Sequence, residues 1–240
     1  MSVIKASPTK GFFVNMLTRD IELDDAILDL LDNSLDGLLR QKPEEAEQPY
    51  LSYKVNIHIS KDQFIIEDNC GGIPTKIAEE YAFRMGKPPA RDDDEIPTVG
   101  MFGIGMKRAV FKMGQDIAII SKNPEKCFCV GINPEWLSSD DNWDLEMVGC
   151  NDDTQLENQG TRIVVKSLYG GISEKFTEDS GFISTLVGKI KTHYAYIIKK
   201  GLEINVNNLD FPDFARHLIA LKCNSMRGVY EQQQTVYRRI

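Results

Sequence analysis

No apolar run in these 240 residues approaches the roughly 20 that a bilayer-crossing helix needs, so no membrane span is expected. The opening MSVIKASPTKGFF has no apolar core of the kind found in secretory leaders, and a cytoplasmic location is the expectation. Cysteine is sparse: Cys70, Cys127, Cys129, Cys150 and Cys223 make an odd count without zinc-ligand spacing, so reduced thiols are expected. Cys127 and Cys129 then read as two small residues on one face of a strand. The three histidines, His58, His193 and His217, are scattered. Basic residues are outnumbered 28 to 36 by acidic ones, giving a net charge of −8 and a pI near 5.0. That balance excludes a whole-surface footprint for nucleic acid or membrane, though a local basic patch is still allowed. Internal repeats and low-complexity tracts are also missing.

What is present is ordinary globular composition, 42% hydrophobic and 27% charged, in a length suited to one large domain or one and a half. Residues 21–40 carry helical periodicity, with Leu23, Ile27, Leu30, Leu31 and Leu38 on one side. Asp25, Asp29, Asn33 and Asp36 recur on the other, and Asp32 crowds the same two turns with no Lys or Arg among them. KVNIHIS (54–60) alternates as a strand with QFIIE (63–67) as its hairpin partner, EDNCGGIP (67–74) is a turn, and a helix is expected over 75–84. The Pro- and charge-rich 86–99 reads as a loop. GMFGIGMKRAVFKMG (100–114) is a glycine-rich turn entering a helix.

Four strand candidates follow without a helix between them: DIAIIS, KCFCVGI, WDLEMVG and TRIVVKS. A helix over 181–199, the strand LEINVNN and a short helix near 212–221 close the chain, ahead of a tail, 222–240, carrying Arg227, Arg238 and Arg239. Helices first and strands later predict an α/β two-layer sandwich, its sheet mixed but mostly antiparallel, with helices on one face.

Three stretches carry chemistry. Gly100, Gly103 and Gly105 leave backbone N–H groups open at a helix N-terminus, where an anion is favoured, and Lys107 and Arg108 add positive charge. This is not a Walker A loop, because no Gly-Lys-Ser/Thr follows, and its G-x-x-G-x-G spacing is a poor dinucleotide fingerprint. Asp68 stands just before Gly71 and Gly72, where a carboxylate can accept from an exocyclic amine such as adenine N6 and reject guanine. Asn33 can offer Mg²⁺ one neutral oxygen, and Asp29, one turn earlier, can orient a water.

In this order the boxes resemble the GHKL ATPase superfamily of gyrase B subunit, heat-shock-ninety chaperone, histidine kinases and MutL, with microrchidia-like members nearest. DLLDNSLDG is similar to its N-box, IEDNCGGIP to its adenine box, VGMFGIGMKRA to its lid-and-phosphate box and GTRIVV (160–165) to its last box. The resemblance covers roughly residues 12–170 and implies the Bergerat sandwich with ATP between helices and sheet. It implies Asp29 as catalytic base, Asn33 as Mg²⁺ ligand, and Asp68 and Thr161 on the adenine side. Asp36, Gly72, Ile73 and the run Gly100, Met101, Phe102, Gly103, Ile104, Gly105, Met106 and Lys107 complete the implied nucleotide site.

The implied partners are ATP and a second copy of the chain, joined when a lid over 86–99 closes, together with a C-terminal effector domain or partner protein. Residues 1–170 are expected to form the nucleotide-binding domain, 171–221 its closing helix-strand-helix segment, and 222–240 a tail or the start of a further domain. Two departures stand out. Cys70 replaces the first glycine of the Asp-x-Gly-x-Gly box, while Gly72 keeps the position nearest the base. Asp29 stands where hydrolysing relatives carry Glu; one methylene less places the carboxylate about 1 Å short, a displacement worth about a hundredfold in rate. Slow ATP turnover is the expectation. The competing readings are a non-hydrolysing ATP sensor and a histidine kinase catalytic domain.

Overall fold

The computed structural model describes residues 8–41, 43, 46–84, 104–152 and 154–207. The expected lid 86–99, Gly100, Met101, Phe102 and Gly103, the short helix near 212–221 and the tail 222–240 lie outside them. Seven strands form one sheet in the order β5-β4-β3-β6-β2-β1-β7. They are β1 (Lys54–Ile59), β2 (Gln63–Asp68), β3 (Gly114–Lys122), β4 (Cys127–Ile132), β5 (Met147–Gly149), β6 (Gly160–Leu168) and β7 (Glu203–Val206). Every neighbouring pair is antiparallel except β1 with β7.

Alternation decides which face is covered. Val55, Ile57, Phe64, Ile66, Ile117, Ile119, Ile163, Val165, Ile204 and Val206 are buried and in register, whereas His58 and Asp116 on the other parity are exposed. Of the helices α1 (Lys10–Thr18), α2 (Leu23–Arg40) and α4 (Gly105–Met113), α4 packs against both of the others. The leucines of α2 join the strand residues in one core, giving the expected two layers.

The acidic side of α2 is only partly solvated, with Asp25 and Asn33 exposed but Asp29 and Asp32 half-buried. Ser34, Asp36 and Gly37 are buried along with the leucines. Nor are its carboxylates unbalanced: Arg108 pairs with Asp29, and Lys189 with Asp24 and Asp25. Cations distant in sequence supply what the local stretch lacks.

Other differences have local causes. The expected helix 75–84 becomes a short α-helical turn, α3 (Thr75–Ile77), running into a π-helical segment over Ala78–Ala82. A helix does interrupt the strand run: α5 (Pro134–Ser138), started by Pro134 and capped by Asn133, whose Oδ1 accepts from the Trp136 N–H. WDLEMVG pairs only over Met147–Gly149, because Trp143 turns edge-on to Phe13 and Trp136.

The expected helix 181–199 breaks into α7 (Phe182–His193) and α8 (Ala195–Lys199), after a short α6 (Gly170–Lys175). Tyr194 leaves helical geometry at the break and sends its hydroxyl to α2.

The cysteine expectation is corrected as well. Cys127 and Cys150 form a disulfide joining β4 to the end of the edge strand β5. Cys70 and Cys129 are free. The pairing needs Cys150 brought beside Cys127 by the β4–β5 ladder, which spacing along the chain does not reveal.

Candidate functional site

An open cleft of about 410 Å³, counting its solvent-filled mouth, lies between α2, the turn after β2 and the start of β6. Its apolar walls are Leu30, Ile66, Ile73, Met106 and Ile163; its polar groups come from Asn33, Ser34, Arg40, Asp68 and Thr161. A mostly apolar concavity with a few convergent polar groups is how small-molecule sites are built.

Asp68 organises the floor. It ends β2 on the helix-facing side, and its Oδ1 accepts from the Cys70 N–H at 2.8 Å and the Thr161 N–H at 3.2 Å. Its Oδ2 accepts from the Ser34 hydroxyl at 2.8 Å. Burial pushes the Asp68 pKa up, while those three donors and the nearby Arg40 charge oppose the rise by favouring the carboxylate. Behind it, Ser121 Oγ and Thr161 Oγ1 lie 3.2 Å apart, and Ser121 accepts from the Ile73 N–H at 2.8 Å. Asn123 holds the Ile73 carbonyl from below at 2.8 Å. The turn is therefore fixed from both sides by buried polar contacts.

Close approach explains several glycines. A Cβ on Gly160 would stand 1.9 Å from the Asp68 carbonyl, and one on Gly37 would stand 2.7 Å from the Cys70 carbonyl. Gly72 has φ +73° and abuts the Lys122 carbonyl. Its need for glycine arises from turn geometry and strand packing. Cys70, in the place of a box glycine, is buried beneath α2, where burial and the Asp68 charge push its thiol pKa up.

At the other end, Asn33 donates its amide to the Asp29 carbonyl at 2.8 Å, which leaves its own Oδ1 as an acceptor on the cleft wall. That oxygen suits a hard cation. Asp29 lies beyond the cleft walls, with its Oδ2 2.7 Å from Arg108 Nη2. Asp36 is buried nearby, and its charge reaches Arg40. Burial lowers the Arg40 pKa against the opposing pull of Asp36 and Asp68.

Ile104 precedes α4, Gly105 opens it against Asp29, and Met106 reaches the cleft. Lys107 turns away: it is 2% exposed, its Nζ donates to the Ala82 carbonyl at 2.8 Å, and burial lowers its pKa to about 8.

The fold thus brings Asn33, Asp68, Gly72, Ile73, Met106 and Thr161 into one cleft. Asp29, Asp36 and Lys107 stand around it without lining it. Ser34, Arg40 and Ser121 were not among the expected site residues, and Arg108 was expected only to add positive charge, though Ser121 and the cleft glycine Gly37 left traces in the sequence. A serine ending the apolar run of DIAIIS needs a partner if it is buried, and a mid-helix glycine at 37 costs about 1 kcal/mol unless something requires it.

The helix-bounded cleft with its carboxylate floor has a counterpart in known proteins. A family model for histidine kinase-, DNA gyrase B-, and HSP90-like ATPases matches residues 21–161, from just before α2 to Thr161. No curated protein matches the chain. No helix among the described residues is long and apolar enough to cross a membrane. The matched span is more than half of the 240 residues and contains every cleft residue except Ile163, so the chain belongs to the histidine kinase-, DNA gyrase B- and HSP90-like ATPase family.

Proposed function

We propose that the chain is an ATP-gated switch that binds Mg-ATP in this cleft and hydrolyses it slowly. The observation that carries the reading is the Asp68 carboxylate, held at the cleft floor by Cys70, Thr161 and Ser34. Held that way, it accepts from the exocyclic amine of adenine and rejects a base that presents an oxygen there. Leu30, Ile66, Ile73 and Ile163 receive the flat faces of the base. Asn33 offers its free oxygen to Mg²⁺, which when bound neutralises phosphate charge. The backbone of 100–106 at the start of α4 faces the phosphates in this reading. Lys107 joins them only by releasing the Ala82 carbonyl.

Asp29 accepts the proton of the attacking water, as a new P–O bond forms to the terminal phosphorus and the bond to ADP breaks. As the shorter acid in a position usually held by Glu, it does so at a rate below the roughly 10 s⁻¹ median of enzymes. Closure of 86–99 over the nucleotide and pairing of two copies pass the nucleotide state to an effector domain or partner protein.

Calorimetric titration of the whole chain with ATP in Mg²⁺ tests the reading. Wild type binds, Asp68→Asn binds at least about a hundredfold more weakly, and Asp29→Asn binds but no longer releases phosphate. Equal affinity in wild type and Asp68→Asn would sink it. The Asp29–Arg108 ion pair favours a second reading, an ATP sensor without hydrolysis, because a carboxylate oxygen engaged by a guanidinium is not free to meet a water. Equal, background-level phosphate release from wild type and Asp29→Asn would select that alternative.

A further inference from the structure

Arg108 sits in the first turn of α4, 79 positions from Asp29 in sequence, and its Nη2 meets Asp29 Oδ2 at 2.7 Å. The two side chains keep 35% and 27% of their surface in solvent, so the pair can be reached and exchanged. The guanidinium is not fully satisfied: its Nε is buried and meets no acceptor among the described residues. A guanidinium has five donors in a planar fork suited to two oxyanion atoms at once, and one carboxylate oxygen uses little of that capacity. Lys107, the neighbouring cation, is buried against Ala82. Arg108 is therefore the α4 cation whose charged head already reaches Asp29.

Resting on the ATP reading above, two like charges come together at this point. Asp29 is the carboxylate that faces the terminal phosphate, and the two repel unless a cation passes between them. We propose that Arg108 discriminates ATP from ADP. It holds Asp29 while no nucleotide is bound, and it exchanges that carboxylate for a terminal-phosphate oxygen when a triphosphate arrives. The exchange frees Asp29 for water only when the third phosphate is present. ADP, ending one phosphate short, leaves the ion pair in place.

Affinities of the full chain for ATP, its β,γ-imido analogue and ADP, each in Mg²⁺, test this. Arg108→Gln is expected to weaken ATP and the analogue by about tenfold or more while ADP stays within about twofold, and Arg108→Lys falls between. Asp29→Asn removes the competitor for Arg108. It tightens ATP in the wild-type background by a larger factor than in the Arg108→Gln background, the signature of coupled sites.

A structural role alone would move ATP and ADP together. Equal weakening of both nucleotides, no weakening of either, or an Asp29→Asn effect independent of residue 108 overturns the proposal. Should Arg108→Gln fail to fold, as read by circular dichroism, the Arg108→Lys ratio decides in its place. Loss of both nucleotides in Asp68→Asn, with an unchanged ATP-to-ADP ratio in Arg108→Gln, refutes this inference and spares the ATP reading. Wild type binding neither nucleotide refutes both.

Discussion

The Tyr194 hydroxyl lies 2.8 Å from Asp32 Oδ1 and 3.0 Å from the Leu28 carbonyl, two acceptors for a group with one hydrogen. Both contacts are satisfied when Asp32 is protonated, donating to Tyr194 while Tyr194 donates to Leu28. Burial pushes the Asp32 pKa up to about 6, and the charges of Asp29 and Asp36 push the same way, against the Tyr194 hydrogen bond. A carboxyl whose pKa is higher folded than unfolded stabilises the fold below its unfolded pKa and loses that contribution as pH rises through the folded value. The wild type should therefore lose about 2 kcal/mol from Asp32 between pH 4 and pH 7. In Asp32→Asn that loss should be missing, so denaturant unfolding at several pH values should give curves that separate as pH rises. Parallel curves would refute the assignment.

Gly37 and Cys70 make a second prediction. Alanine at 37 adds up to about 1 kcal/mol of helix propensity, yet its Cβ would meet the Cys70 carbonyl at 2.7 Å. The Cys70 backbone also supplies a donor to Asp68. Gly37→Ala is expected to leave overall stability within about 1 kcal/mol and to weaken ATP by about tenfold, read by thermal melts beside calorimetry. A tightly packed helix with unchanged ATP affinity would contradict it.

The disulfide between Cys127 and Cys150 spans 23 positions and ties down the short edge strand β5. Closing a loop of that size is worth about 3 kcal/mol by the chain-entropy argument. Reduction, or Cys127→Ser, should lower the melting temperature and speed amide exchange over 147–149. Nucleotide affinity should hold, because β5 lies at the far end of the sheet from β2 and contributes no cleft residue. Non-reducing peptide mapping checks the bond itself.

Lys10 is 1% exposed, with its Nζ 3.7 Å from the Trp136 ring centroid and donating to the Trp136 and Asn142 carbonyls. Its backbone N–H also reaches Asp140, so α1 is pinned to the segment around α5. Lys10→Met should cost about 2 kcal/mol. The chain has two tryptophans, and both surround this ammonium, so intrinsic tryptophan fluorescence should shift with the variant. An unmoved spectrum would deny the contact.

How much of this was legible beforehand depends on the range of each contact. Asn33, Asp68, Gly72, Ile73 and Thr161 fell within ordered boxes, each a short stretch whose residue types carry their own chemistry, and the cleft brings them together. The alternation of KVNIHIS likewise matches the residues of β1 that are buried towards the helices. The Asp29–Arg108 pair was not legible, because charge read along α2 omits a cation 79 positions away. Helical periodicity runs straight through Tyr194, and only the pull of its hydroxyl towards α2 breaks the helix there. The Trp143 contacts that shorten β5 depend on α1, whose residues carry little periodic signal.

The parallel pairing of β7 with β1 also bears on how the molecule is made. β1 and β2 are neighbours in sequence and can form their hairpin early, but the bond from the Ile59 N–H to Asn207 Oδ1 closes a span of 148 positions. Tyr194 reaches α2 late for the same reason. A chain emerging from the ribosome therefore presents Asp29, Asp32 and Asn33 on a helix that has not yet been clasped. Its ability to take up nucleotide should appear abruptly, once the stretch from Tyr194 to Asn207 has cleared the exit tunnel, well after the cleft's own residues have been synthesised.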